Sequence, residues 1–211
     1  MKAPPHNLPP RYNICPTTDI DVITSQDDGR QLLSMRWGLV PSWWKKSLKE
    51  LPATFNARAE TVTEKPMFRD AFKRGRCLIP ASGYYEWLNT PDGKQPFYFT
   101  RRDGQVMTIA GLCADWSNPA DRGKVKSVAM VIGPANEFVG KFHDRMPVIL
   151  EQNEFEAWER GDVRLAESLL QPKKENVLQA WPVSRRVNSS RADEFDATLI
   201  EKVGLTEPAG G

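Results

Sequence analysis

The segment CLIPASGYYEWLNTPDGKQPFYFTRRDGQVMTIAGL, residues 77–112, alternates short apolar and aromatic runs with turn residues. Strand signals fall at 77–80, 84–87, 97–100 and 107–112, and turns are marked by Pro91-Asp92-Gly93 and Asp103-Gly104. A further strand signal follows at 127–132. Short strands at regular spacing, joined by Gly and Pro turns, predict a curved, barrel-like, largely antiparallel sheet. Toward the N-terminus, 20–24 and 32–39 read as a hairpin about Asp27-Asp28-Gly29, and 55–60 reads as extended. Residues 66–74 read as a short helix, with Pro66 in the first turn, Phe68 and Phe72 four apart, and Gly75 as the stop. Toward the C-terminus, 136–142, 154–160 and 163–170 read as short helices, the last with Asp162 as N-cap and Pro172 beyond its end. Trp181-Pro182-Val183 adds an extended piece. The expectation is one α+β domain over residues 11–204 with short peripheral helices. It lies between an extended, proline-rich tail (1–10) and a frayed tail (205–211).

Composition narrows the function classes. The 211 residues are 40% hydrophobic and include seven Trp and nine Phe, enough for a sizeable core. No apolar run approaches the roughly 20 residues that cross a bilayer, and the start has no apolar signal segment, so a cytoplasmic protein with no membrane partner is expected. The three cysteines are far apart without a Cys-x-x-Cys pair, and there are two histidines; neither a disulfide framework nor a metal site is indicated. Phosphate-cradling glycine loops and a serine elbow are lacking, so no cofactor is expected. Net charge is +2, but residues 36–76 hold ten Lys or Arg against four Asp or Glu. Residues 151–170 hold two against six. One side of the fold is therefore suited to a polyanion, although an ordinary solvated surface has the same signature.

Four places carry candidate chemistry. His143, in Phe142-His143-Asp144-Arg145-Met146-Pro147, sits beside a carboxylate, a guanidinium and a backbone-fixing proline, as a proton-transferring imidazole does. The same hexapeptide also reads as a loop histidine that caps a backbone group. In the strand 84–87, Tyr85 and Trp87 share one face and Tyr84 and Glu86 the other. If that second face lines a cleft, burial raises the Glu86 carboxyl toward the range useful for proton transfer; on an open edge it is a solvated glutamate. Asn56 and Arg58 share a face if extended, an amide and guanidinium able to hold a phosphate or orient a carbonyl. Trp43-Trp44 cannot both face inward from a strand, so one belongs in the core and the other offers a stacking platform near Lys45 and Lys46.

Six motifs occur in order: Arg11-Tyr12-Asn13-Ile14-Cys15-Pro16-Thr17, the tryptophan stretch 37–44, Asn56-Ala57-Arg58-Ala59-Glu60-Thr61, Arg76-Cys77-Leu78-Ile79-Pro80-Ala81, Gly83-Tyr84-Tyr85-Glu86-Trp87 and His143-Asp144-Arg145-Met146-Pro147. Together they resemble the SRAP family, the SOS-response-associated peptidases that process abasic sites in DNA. The resemblance implies a barrel-like α+β fold with a groove for single-stranded DNA bearing abasic sites. It implies a catalytic site at Asn56, Glu86 and His143, with DNA contacts at Asn13, Trp43, Trp44, Arg58, Lys65 and Arg145. Family members use a cysteine next to the initiator methionine, whose amine and thiol close a thiazolidine on the abasic aldehyde. Here residue 2 is Lys2, and no Met-Cys-Gly-Arg start is present, so the nucleophile-bearing segment is expected to be missing. Three readings follow: a working abasic-site crosslinker whose Met-Cys-Gly-Arg start lies upstream of Met1, a non-covalent single-stranded DNA binder, or a cysteine peptidase.

Overall fold

Alternation is the local rule from which the fold is built. In β1 (Asp19–Gln26) Ile20, Val22 and Thr24 are buried, and the ends are exposed, so every second side chain turns inward. It pairs antiparallel with β2 (Gly29–Trp37) from Asp19↔Arg36 to Gln26↔Gly29. Gly29 closes this hairpin at φ +119°, a conformation that side chains disfavour. The computed structural model describes residues 9–172 and 177–204; positions 1–8 of the expected N-terminal tail and all of the tail at 205–211 lie outside them. The chain continues with β3 (Asn56–Arg58), α1 (Arg69–Arg74), β4 (Arg76–Ala81), β5 (Tyr84–Thr90) and β6 (Gly93–Arg101). Then come β7 (Met107–Ser117), β8 (Lys124–Pro134), β9 (Arg145–Pro147), α2 (Phe155–Arg160), α3 (Val163–Ser168) and β10 (Leu178–Pro182).

Five strands close a barrel in the order β2-β1-β4-β7-β8, with β2 returning to β8. The pairs are antiparallel except at the closure, where Arg36 and Trp37 run parallel beside Ser127 and Val128. β3 continues along that edge of β8, also parallel, with Asn56 opposite Met130 and Arg58 opposite Ile132. On the other edge, β9 pairs Pro147 with Ile132 and Arg145 with Pro134. Between β2 and β3, residues 38–55 leave the sheet and come back to the strand they left: the Gly38 amide donates to the Val128 carbonyl at 2.8 Å, and the Met130 amide donates to the Phe55 carbonyl at 2.9 Å. A second sheet, β10-β6-β5, is antiparallel throughout.

β4 is buried on both faces, which is why residues 77–79 read as an unbroken apolar run. Inside, Val22, Met35, Cys77, Ile79, Ile109 and Val128 meet Phe97, Phe99 and Leu178 of the second sheet. Outside, Leu78, Leu112 and Val131 pack beneath Phe72 of α1, Trp158 of α2 and Ala166 of α3. Arg76 ties these helices to the wall by donating to the Trp158 carbonyl at 2.5 Å and the Phe72 carbonyl at 2.7 Å. The far face of the second sheet packs Tyr85, Tyr98 and Trp181 against Val183, Val187 and Leu199. Each large side chain so buried stabilises the fold by roughly 1.5–3 kcal/mol.

The α+β, barrel-like expectation holds, with three corrections of detail. The strands divide between two sheets, and two pairings to β8 are parallel, because periodicity reveals which residues face inward but not which strands are neighbours. The first helix begins at Arg69 rather than residue 66, since Lys65 and Phe68 are taken up in turns that begin at Thr61. Residues 136–142 form a single 3₁₀ turn (Val139–Lys141). The Asn136 side chain accepts the Val139 amide at 2.9 Å there, a cap rather than a helical turn. Among the described residues, no helix is long and apolar enough to cross a membrane.

Candidate functional site

Asn56, Glu86 and His143 come from three elements, and Glu86 and His143 lie close enough for the charge of one to act on the other. Asn56 stands beside Met130, whose side chain packs in the barrel interior. Glu86 lies opposite Phe97 on β6, and Tyr84 opposite Phe99, so the inner face of β5 is Tyr84, Glu86 and Leu88. Phe142, immediately before His143, packs edge-on against Phe97 at 4.8 Å and Phe99 at 5.0 Å. The aromatic block beneath Glu86 thus ends at His143. Residue 83 must be glycine for β5 to lie this close: a Cβ there would stand 2.3 Å from the Phe99 carbonyl oxygen and 2.4 Å from the Tyr98 ring.

Electrostatics follow from this placement. Burial pushes the Glu86 carboxyl above the usual carboxylate range, against the opposing pull of His143, and Asp144 adds to the rise. The inner-face reading of Glu86 is therefore the one the fold adopts. His143 is held by the turn before it, its amide donating to the Val139 carbonyl at 3.0 Å. Its Nδ1 accepts the Arg145 amide at 3.0 Å, with the Asp144 carboxylate 3.2 Å from the same nitrogen. Arg145 in turn pairs with Glu60, so the end of β3 is tied to β9 across β8. Hydrogen bonds, the Arg145 guanidinium among them, hold the Glu60 carboxyl below its ordinary value although burial raises it.

The Asn56 side-chain oxygen is buried and accepts no hydrogen bond, and the same is true of Thr54 Oγ1 two residues earlier and of the Tyr84 hydroxyl. Arg58 and Lys65 are exposed. Neither indole of the Trp43-Trp44 pair is core, which corrects the expectation that one would be: Trp43 is 42% exposed and Trp44 half-buried. Their rings stand 6.1 Å apart at 57°. The loop is held from below, Trp116 Nε1 donating to the Trp44 carbonyl at 2.7 Å. Asn13 donates to the Ser189 carbonyl at 3.0 Å, and the Tyr12 amide donates to the Glu194 carbonyl at 2.6 Å, so this early stretch is fastened to a late one. Burial and the neighbouring Cys113 push the Cys77 thiol up, the reverse of what a nucleophile requires.

Sequence reasoning missed Glu60 as the partner of Arg145; nothing local signals a pairing across 85 positions. The orphaned hydroxyls of Thr54 and Tyr84 were also missed, though strand alternation places each two residues from a candidate. A cavity of about 630 Å³, lined by Arg101, Met146, Val148, Glu151 and Leu170 among others, includes none of the three candidate residues.

Comparison with known proteins gives one consistent answer. A family model described as "SOS response associated peptidase (SRAP)" matches residues 1–190. The abasic site processing protein YoqW of Bacillus subtilis is 35% identical over 186 residues, covering 86% of this chain and 82% of its own. The abasic site processing protein YedK of Escherichia coli is 32% identical over 200 residues, covering 92% and 85%. A crystal structure of a Bacteroides thetaiotaomicron protein superposes with a TM-score of 0.78 at 26% identity, over 89% of this chain and 82% of that one.

Proposed function

The chain belongs to the SOS response associated peptidase (SRAP) family, and on that premise we propose that it acts on abasic sites in single-stranded DNA as part of a DNA-damage response. The observation that carries this reading is the Glu86 carboxyl, raised by burial and close enough to His143 to feel its charge. A carboxyl raised in this way is a better proton donor and acceptor partner for imine chemistry on an aldehyde than a solvated carboxylate is. On this reading the exposed Trp43 would offer a face on which a base stacks, and Arg58, Lys65 and Arg145 would contact phosphates.

The ring-opened abasic deoxyribose presents an aldehyde. An N-terminal cysteine amine adds to that carbon and water leaves, giving an imine. The thiol then adds to the same carbon and closes a five-membered thiazolidine, so amine, thiol and aldehyde yield one ring and one water. Glu86 would take the proton from the attacking amine and return it to the departing hydroxyl. His143, in its doubly protonated form, would give a proton to the sugar ring oxygen as the ring opens, and Asn56 would hold the sugar. Cys15, Cys77 and Cys113 have their nitrogens in peptide bonds and cannot close such a ring. A second reading is binding of the same strand without the covalent step.

A denaturing gel separates the two readings. The chain is incubated with single-stranded DNA holding one abasic site, beside a version extended with a Met-Cys-Gly-Arg start. A covalent band in the extended chain alone is expected. Failure of both chains to crosslink, together with no binding of the strand by either, would sink the proposal.

A further inference from the structure

Among the described residues, four buried side-chain polar atoms lack a hydrogen-bond partner: Thr54 Oγ1, Asn56 Oδ1, the Tyr84 hydroxyl and Glu159 Oε1. Glu159 is accounted for by its other oxygen, which accepts from Arg30 at 2.7 Å. Tyr84 has no such account. Its ring lies flat on Phe99, centroids 5.0 Å apart and planes 17° from parallel, so the phenol is fixed in place. Burying a hydroxyl without a partner is costly, and native proteins seldom leave one so unless something else supplies the bond. The hydroxyl shares the inner face of β5 with Glu86 and is close enough that the Glu86 charge adds to the rise that burial imposes on the phenol. Phe99 beneath Tyr84 and Phe97 beneath Glu86 both touch Phe142, the residue before His143. The phenol therefore belongs to the same cluster as the candidate acid and base.

We infer that the Tyr84 hydroxyl is a specificity-determining group of this site, a hydrogen-bond partner for the oxygens that only a base-free sugar exposes. The inference rests on the abasic reading given above. Asn56 Oδ1 can only accept, whereas a phenol donates and accepts. An abasic deoxyribose matches both: its open form has an aldehyde oxygen that accepts and a C4′ hydroxyl that donates, and its closed form has a C1′ hydroxyl. An intact nucleotide has neither free group, because C1′ bears the base and the ring oxygen carries no proton. A site with an unpartnered acceptor and an unpartnered phenol rejects a ligand that would leave both unmade.

The test compares Tyr84→Phe with the unaltered chain by fluorescence anisotropy on three single strands. They differ at one position, which holds an abasic site, a tetrahydrofuran analogue lacking the hydroxyl and aldehyde, or thymidine. The unaltered chain is expected to prefer the abasic strand over the analogue. Tyr84→Phe is expected to shrink that preference about five- to tenfold, the worth of one hydrogen bond. Thermal melting supplies a second readout: with an orphaned hydroxyl removed, the variant melts at or above the parent temperature. An unchanged preference overturns the inference, and so does a variant that melts several degrees lower, since the hydroxyl then has a partner inside the protein. If neither the unaltered chain nor the chain extended with Met-Cys-Gly-Arg binds any of the three strands, the abasic reading falls and this inference falls with it.

Discussion

Glu86 shows how much one side chain owes to its surroundings. Burial raises its carboxyl in the folded chain, so between its unfolded value of about 4.3 and its higher folded value the native state retains a proton that the unfolded chain has lost. Its contribution to stability is complete below the unfolded value and is lost as pH rises through the folded one. Glu86→Gln is therefore expected to melt with the parent near pH 4 and above it near pH 8, in scans at matched ionic strength; a lower melting temperature at pH 8 would contradict the placement. Alternation alone put Glu86 and Tyr84 on one face, and the structure agrees. Burial was not legible at that position, because it depends on Phe97 and Phe142 arriving from other elements. The Trp43-Trp44 pair was misread for a related reason. Hydrophobicity argues for the core, yet the pair sits on a loop whose backbone, not its indoles, is held by Trp116.

At the level of elements, strand existence was clear in the sequence and strand partnership was not. The hairpins β1–β2 and β5–β6 are local and announce themselves through Asp27-Asp28-Gly29 and Pro91-Asp92-Gly93. The parallel closure of β2 on β8 joins positions about ninety residues apart and leaves no local mark. Gly83 links the two levels, being both the start of a recognisable motif and the point where β5 touches β6 most closely. Gly83→Ala places a Cβ against the Phe99 carbonyl oxygen, which is backbone and cannot turn aside. The expected loss is about 1–3 kcal/mol, the usual range for forcing extra volume into a packed site. Denaturant unfolding measures it, and a shift in the midpoint without a change in slope is the anticipated form.

For the whole molecule, charge sorts along the chain: the basic stretch 36–76 contains the loop, β3 and α1, and the acidic stretch 151–170 forms α2 and α3, which pack beside α1 on the outer wall of the barrel. If Arg58 meets a phosphate, each such contact contributes about −0.7 to the slope of log affinity against log salt for a single strand. Arg58→Ala is expected to flatten that slope by this amount in a salt titration of strand binding; an unchanged slope would remove Arg58 from the interface. The loop 38–55 has a consequence of another kind. Its two ends are bonded to one strand only two residues apart, Val128 and Met130, so the barrel brings them together whatever lies between. Most of the entropy of closing the loop is thus met by the scaffold, and added length costs little further. The loop's ends, Leu39, Val40 and Thr54, are buried and belong to the core, but the middle, residues 42–53, behaves as a cassette: it can be exchanged for one of different size or chemistry while the barrel stays the same.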